Sequence, residues 1–404
     1  MNSVVKTLLL GSTLLAMTFA VSAQERTSIK IGMTISSTGA YATASQSGER
    51  GIGIWVDDVN ARGGIELDGK KYPVELIKRD DRSDKQLVSR VYDSLINEEK
   101  VDALIAPFSS TLVGVAAPIT EANGKFMVSW AGSSDQLFQQ GYKYLVSATV
   151  QASQIPVTSI DLAKQLGVKK LAIAYADEPF PASTATSAKE MAETGGIEVV
   201  TFEKYAKGAR DFSLLLQKAQ AAGADGFYSS SYEGDLIAML RQARERDINF
   251  PYNYMVYGSS PAVVEAGPDS EYVFSHTQFD EAANWNVTDG LNTSEFLAAY
   301  DKLYPNAAHP ADFQTALAYG ASVALEKAIA TAQSVDAEKL KQAALEISGK
   351  TTVVSGQFEI DETGFQRGMK PIVLQQQPDG LKVVAPAEIA TAKPIYPIPA
   401  WGDR

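Results

Sequence analysis

The chain has 404 residues, 45% of them hydrophobic and 21% charged, with no cysteine and a net charge of −12. The length is too great for one small core and predicts two lobes. The acidic balance argues against nucleic acid or an anionic membrane as partner, and the lack of cysteine excludes a disulfide framework.

At the N-terminus Lys6 precedes the apolar stretch Thr7 to Ala20, and Val21-Ser22-Ala23 supplies the small residues of a cleavage site. Residues 1–23 therefore read as a secretory signal peptide rather than a membrane span. With no cysteine there to carry a lipid, a freely diffusing periplasmic protein is expected.

From Ile29 the chain alternates strand and helix. IKIGMTI has period two, and Ile52, Trp55, Val56 and Val59 then fall on one helical face within Gly51 to Asn60. Gly63-Gly64 ends that helix. The strand YPVELIKRD leads to a helix over Lys85 to Glu99.

Next, the same pattern is written twice: VDALIAPFSST, and then KFMVSWAGSSDQL. Each is a short apolar run followed by small hydroxyl residues. Strand ends rich in free backbone N–H groups and hydroxyls suit an anionic small molecule, and equally suit ordinary capped turns. After Val150 the alternation restarts with KKLAIAYAD, a helix over Ser183 to Thr194, GIEVVTFEKYA, a helix over Phe212 to Ala222, DGFYSSSY, a helix over Asp235 to Arg246, and YNYMVYG. Two such runs predict two parallel-sheet lobes with a ligand at the carboxyl ends of their strands. Late helices are expected over Thr293 to Leu303 and Ala311 to Ala332, and the proline-bearing tail from Lys393 is expected to be extended. Asn286-Val287-Thr288 and Asn292-Thr293-Ser294 fit the glycosylation pattern and are taken as chance matches.

Catalytic chemistry has little to stand on. The only histidines are His276 and His309, and no nucleophile elbow, phosphate loop or metal motif occurs. His276 reads as a hydrogen-bonded structural residue. The pairs Asp57-Asp58 and Asp80-Asp81 read as solvated or ion-paired groups. What remains is a set of aromatics at strand ends, namely Tyr41, Trp130, Phe180, Tyr232 and Tyr257, which together could close over a ligand.

The segments TGAYATASQSGERGIGIWVDDVNARGGI, KVDALIAPFSST, SWAGSSDQL, KKLAIAYADEPF and MLRQARER resemble, in order and spacing, the periplasmic solute-binding proteins of branched-chain amino-acid-type ABC transporters. The resemblance implies an α/β type I periplasmic binding protein fold, with two Rossmann-like parallel-sheet lobes joined by a three-segment hinge. The implied crossings lie near Ala148-Thr149, Ser275 to Phe279 and Val354 to Gln357. The first lobe is then 24–148 plus 279–354, and the second 149–278 plus 355–404. It implies an importer's binding component that is not an enzyme, has no cofactor, binds no metal or nucleic acid, acts as a monomer, and delivers a small solute to an inner-membrane permease. A ligand-sensing receptor subunit and a secreted amide hydrolase are the alternatives.

By the same resemblance Ser110 meets the ligand carboxylate, and Ala131, Gly132 and Ser133 offer backbone groups and a hydroxyl. Phe180 and Tyr232 cover the ligand from the second lobe; Tyr41 and Trp130, from the strand-end aromatics, and Ser259, at the position of the missing acid, are further candidate ligand-binding residues. Three positions depart from the family pattern. Gly258-Ser259-Ser260 stands where relatives that bind amino acids commonly carry an acid for the ammonium. Ala44 replaces a frequent aromatic, and Trp130 a common proline. Loss of a buried charge partner argues against a standard aliphatic amino acid and leaves a small carboxylate, an aromatic acid or an amide. Glu233 reads as a solvated loop acid that could otherwise supply the missing charge.

Overall fold

A computed structural model describes residues 26–283 and 285–404, so the signal-peptide reading falls outside the described residues. The first unit runs β1 (Ile29–Ile35), α1 (Ala42–Ala61), the hairpin β2 (Ile65–Leu67) and β3 (Lys70–Tyr72), β4 (Val74–Asp80) and α2 (Lys85–Asn97). It continues through β5 (Ala103–Ile105), α3 (Ser110–Ala122), β6 (Met127–Ser129), α4 (Asp135–Phe138) and β7 (Leu145–Ser147). Its parallel sheet has the order β4-β1-β5-β6-β7. In β1 only Lys30 is partly exposed. A parallel sheet covered on both faces has no solvent side, so the expected alternation gives way to a continuous buried run.

The second unit runs α5 (Pro156–Leu166), β8 (Lys170–Ala176), α6 (Pro179–Thr194), β9 (Glu198–Tyr205), α7 (Ser213–Ala221) and β10 (Gly226–Ser230). It goes on through α8 (Glu233–Glu245), β11 (Tyr252–Met255), α9 (Pro261–Val264) and β12 (Phe274–Thr277). The chain then forms α10 (Thr293–Leu303), α11 (Phe313–Ala332), α12 (Ala337–Ile347) and the hairpin β13 (Thr351–Val353) and β14 (Gly356–Phe358). It ends in β15 (Ile372–Gln377) and β16 (Gly380–Ala385). The second sheet has the order β16-β15-β12-β11-β10-β8-β9, with β15 and β16 added antiparallel at one edge.

Several boundaries follow local chemistry. Pro179 stands at the first position of α6, where its missing N–H costs nothing, so the helix starts before the expected Ser183. Asn292 caps α10 in a reciprocal capping box with Glu295, which explains why a glycosylation-like triplet occurs there. Helix α11 returns to lie along α1, and a Cβ on Gly51 would come within 2.0 Å of the Thr315 carbonyl oxygen, so only glycine allows that approach.

The chain passes between the units three times: after β7, after β12 and before β15. The third passage lies later than the expected Val354 to Gln357, which instead forms the turn and the first residues of β14 in the β13–β14 hairpin. Beyond it the Ser147 amide donates to the Gly364 carbonyl at 2.9 Å, and the Phe365 ring packs against Phe138. The first unit thus holds the chain past Gly364, because this segment covers the edge strand β7. The tail is fastened to the second unit by hydrogen bonds from the Ile395 amide to Gln375 and from the Trp401 indole to the Ile248 carbonyl.

Candidate ligand-binding site

The loops that follow β1, β5 and β6 meet at the carboxyl edge of the first sheet. Asp81 organises the first of them. It is fully buried and accepts from the Thr34 and Ser36 hydroxyls and the Ser83 amide, which corrects its reading as a solvated or ion-paired group. The Ser83 hydroxyl in turn accepts from the Tyr41 amide.

After β5, Ser109 takes a backbone conformation of φ 78° and ψ 143°, which only glycine adopts without strain, and its hydroxyl caps α3 at Leu112. Ser110 opens that helix, buried, and its hydroxyl accepts the Ser134 amide at 2.9 Å. This ties the β5 and β6 loops together and leaves the Ser110 proton free to donate. In the β6 loop the Gly132 amide is spent on the Ser129 hydroxyl. The Trp130 indole donates to the Ala106 carbonyl at 3.1 Å. Its ring fits because Gly48 has no side chain; a Cβ there would lie 2.1 Å from the ring.

The second unit faces this edge with aromatic rings. Tyr41 meets Tyr232 at 5.2 Å between centroids, and Tyr232 meets Phe180 at 6.1 Å and Tyr257 at 5.8 Å. Phe108 lies 5.5 Å from Trp130, and Phe313 lies 5.8 Å from both Tyr257 and His276. The rings surround a tight space of about 20 Å³, well below the range for ligand pockets, so in this closed arrangement the walls stand nearly in contact. Its walls include Trp130, Ala131, Ser133, Phe180, Tyr257 and Phe313. Tyr41, Ser110, Gly132 and Tyr232 stand behind or beside these walls. Ser259 does not reach the space: its hydroxyl donates to the His276 carbonyl at 2.8 Å, and it lines a separate cleft with Asp280 and Asp312.

Phe108, His276, Gln278, Phe313 and Gln314 also line the aromatic space. Composition did not single these out as ligand-facing. Phe108 sits in the quoted VDALIAPFSST just before the serines, and its distance from the strand end could have marked it; the others come from the interlobe passage and the first turn of α11.

Glu233 is buried rather than solvated, which corrects its sequence reading. It is 7% exposed, with Gln314 donating to it at 3.5 Å. Burial holds its carboxyl proton, raising the pKa to about 7. Burial likewise depresses His276 to about 4, so its imidazole is neutral. Across the units Tyr41 donates to the buried Glu178 and accepts from Lys207 at 2.7 Å, while within the second unit Lys207 also donates to Glu178 at 2.8 Å. Ser183 donates to Asp135 at 2.6 Å across the same gap. Among the described residues no group of histidine, cysteine or carboxylate side chains is arranged to hold a metal, and no helix is long and apolar enough to cross a membrane.

Two Rossmann-like units joined by three passages, and enclosing an aromatic cavity at the carboxyl ends of their strands, define a two-lobed binding protein. The periplasmic binding protein family matches residues 28–380, and the chain belongs to that family. It is similar to a Leu/Ile/Val-binding protein homolog of Brucella suis, 26% identical over 385 residues that cover 90% of this chain and 93% of the relative. Among solved structures it resembles a leucine-binding protein of Thermotoga maritima, with 24% identity, TM-score 0.78, and coverage of 88% of this chain and 98% of the other. It also resembles a solute-binding protein of an R. palustris ABC transporter in complex with 4-hydroxybenzoate, with 21% identity, TM-score 0.75, and coverage of 93% and 99%. The fold is of the leucine-binding-protein kind.

Proposed function

We propose that this chain is the extracytoplasmic substrate-binding component of an ABC importer, one that captures a small carboxylate- or amide-bearing solute by closing two lobes over it. The observation that carries the reading is the lining between the two units: five aromatic rings, the Ser133 wall, and buried polar atoms that have no partner in the protein, among them His276 Nδ1 and Gln278 Oε1. Buried polar groups are nearly always satisfied, so unsatisfied ones beside a cavity suit a ligand's hydrogen bonds.

In this reading the lobes are the two sheet units, with α10 to α12 and the chain up to Gly364 belonging to the first. Ser110, Ala131 and Ser133 hold the anionic end, and Gly132 shapes the loop that presents them. Phe180 and Tyr232 cover the ligand, and Tyr41 and Trp130 shape the wall around it. The protein acts as a periplasmic monomer, hands its cargo unchanged to a membrane permease, and catalyses nothing. Named relatives bind leucine or 4-hydroxybenzoate. The serines at 259 and 260, where an acid would pair an ammonium, favour the acid over the amino acid for this chain.

The test is thermal melting of unfolded-and-refolded protein against amino acids, amides, aromatic acids and keto acids. A true ligand at a hundred times its Kd should stabilise by about 2.7 kcal/mol by mass action. A folded sample that ignores the whole panel overturns the reading.

A further inference from the structure

A second cleft, of about 360 Å³, lies beside the ring-walled space and is within the size range of small-molecule pockets. Its walls come from both units and from the passage between them. The second unit gives Val264, Leu374 and Leu381, the passage after β12 gives Phe279, and the first unit gives Leu297 of α10 and Phe313 of α11. Phe313 is a wall of both spaces. Leu381 is 37% exposed, one of three large apolar side chains left so open among the described residues, and it stands in this lining.

The charge of the cleft is one-sided. Four carboxylates share its lining, and no lysine or arginine does. Two of the four are engaged: Asp312 accepts from the Thr315 amide and hydroxyl at 2.8 Å, and Glu265 lies 2.7 Å from the His309 imidazole. The partly buried Asp280 accepts the Ala282 amide at 2.8 Å and pairs with no cation among the described residues. Burial raises its pKa against the pull of that amide, and the charge of Glu281 beside it adds to the rise. A small inorganic cation would relieve these charges and leave the apolar walls wet. An ammonium on an apolar body relieves the charges and covers the walls together.

We propose that this cleft is a second ligand site, for a primary ammonium carried on a ring-sized apolar body, with Asp280 anchoring the cation and Phe279, Leu374 and Leu381 covering the body. Because its walls belong to both units, an occupied cleft holds the lobes together. The amine is then an effector that favours closure, distinct from the transported cargo, and by linkage whatever closes the lobes strengthens amine binding in return. The site stands on the cleft alone; its effect on closure rests on the hinge reading above.

The experiment is calorimetric titration of refolded protein with phenethylammonium, ethylammonium and 2-phenylethanol, repeated on Asp280→Asn, on Ala311→Trp, which fills the cleft, and on Asp161→Asn, an exposed acid of α5 outside it. Folding of each variant is checked by its circular dichroism and melting curve. Phenethylammonium should bind at one site per chain, about tenfold or more tighter than ethylammonium, which lacks the apolar body, and 2-phenylethanol, which lacks the charge. Asp280→Asn and Ala311→Trp should each weaken it by about the same factor, and Asp161→Asn should leave it unchanged. Small-angle X-ray scattering of solute-free protein should show a more compact particle when the amine is added. No saturable binding, equal binding of the alcohol, or binding that survives both cleft variants overturns the site. A dimer of the protein whose formation blocks the amine assigns the apolar walls to a second copy and overturns it as well. Saturable binding with unchanged compactness overturns the effect on closure and leaves the site. A folded protein that binds the amine yet ignores the whole solute panel overturns the solute reading and not this one.

Discussion

Glu233 opens α8 directly after Tyr232, where an acid facing helix amides is ordinary and a solvated side chain would be expected. Closing the lobes buries it against Gln314, with Tyr257 and Asp312 near enough to feel its charge and no cation among its partners. The carboxyl then keeps its proton to about pH 7, against an ordinary value of 4.5 when exposed. The sign follows. The closed form holds a proton that an open, hydrated Glu233 releases, so closure carries no penalty below pH 4.5, loses ground as pH rises from 4.5 to 7, and is constant above. Full burial sets an upper limit of about 3 kcal/mol on the loss. Solute affinity should therefore weaken between pH 5 and 7 with uptake of one proton on binding, and Glu233→Gln should flatten the profile. Calorimetry in buffers of different ionisation enthalpy measures both, and a slope that persists in Glu233→Gln would reject the assignment. None of this was visible in sequence, because a helix-opening acid looks the same whether a second lobe covers it or water does. Ser110 and Ser133 were legible for the opposite reason: hydroxyls directly after short apolar strands are placed by the strand itself.

The start of α6 and the loop before α1 meet in a small latch. Tyr41 Oη and Lys207 Nζ both donate to Glu178, and the Lys207 ammonium also lies 4.4 Å over the Tyr41 ring. Glu178 is 8% exposed, so its charge is held by these two partners and by a long contact from Thr111. Lys207 is half-exposed, and solvent screens its share of the pair. Lys207 and Glu178 both belong to the second unit, whereas their bonds to Tyr41 exist only when the lobes are together, so those bonds stabilise the closed form and slow release. Glu178→Gln keeps a hydrogen-bond acceptor but removes the charge, and about a tenfold faster release with little change in capture is expected from losing a charge-assisted bond of this size. Stopped-flow release kinetics check it; unchanged release would remove the latch from the closing surface. At this scale the strands and most helices were legible, since buried parallel strands and amphipathic helices write their own periodicity. Helix starts at Pro179 and Ala42 were read too late because the apolar stripe begins inside the helix rather than at its cap. The passage beyond Gly364 was misplaced for a different reason. Nothing in residues 356–367 announces that they dock on the edge of β7; that contact is long-range and has no local signature.

Across the whole molecule, the cavity walls are drawn from both sheets and from the chain between them, and the residues that line it are mostly buried. A solute of ring size cannot reach such a space through packed aromatic side chains, so the lobes must part to exchange it and come together to hold it. The three passages permit this as a hinge, and the polar contacts that would break include the Tyr41–Glu178 and Lys207–Tyr41 bonds, the Glu233–Gln314 bond, the His309–Glu265 pair and the bond from Ser183 to Asp135. The last of these offers a direct test. Asp135 belongs to the first unit and Ser183 to the second, their side chains touch at 2.6 Å, and the chain has no cysteine of its own. The double variant Asp135→Cys, Ser183→Cys can therefore form one disulfide and no other, and only in the closed arrangement, because a disulfide requires the two Cα atoms within about 7 Å. Reduced protein should bind and release solute freely. Protein oxidised in the presence of solute should retain it through extensive dialysis, protein oxidised empty should refuse it, and a reducing agent should restore exchange to both. Confirmed disulfide formation with exchange as fast as in the reduced protein would mean that solute enters without the lobes parting, and hinge closure would then have no part in capture.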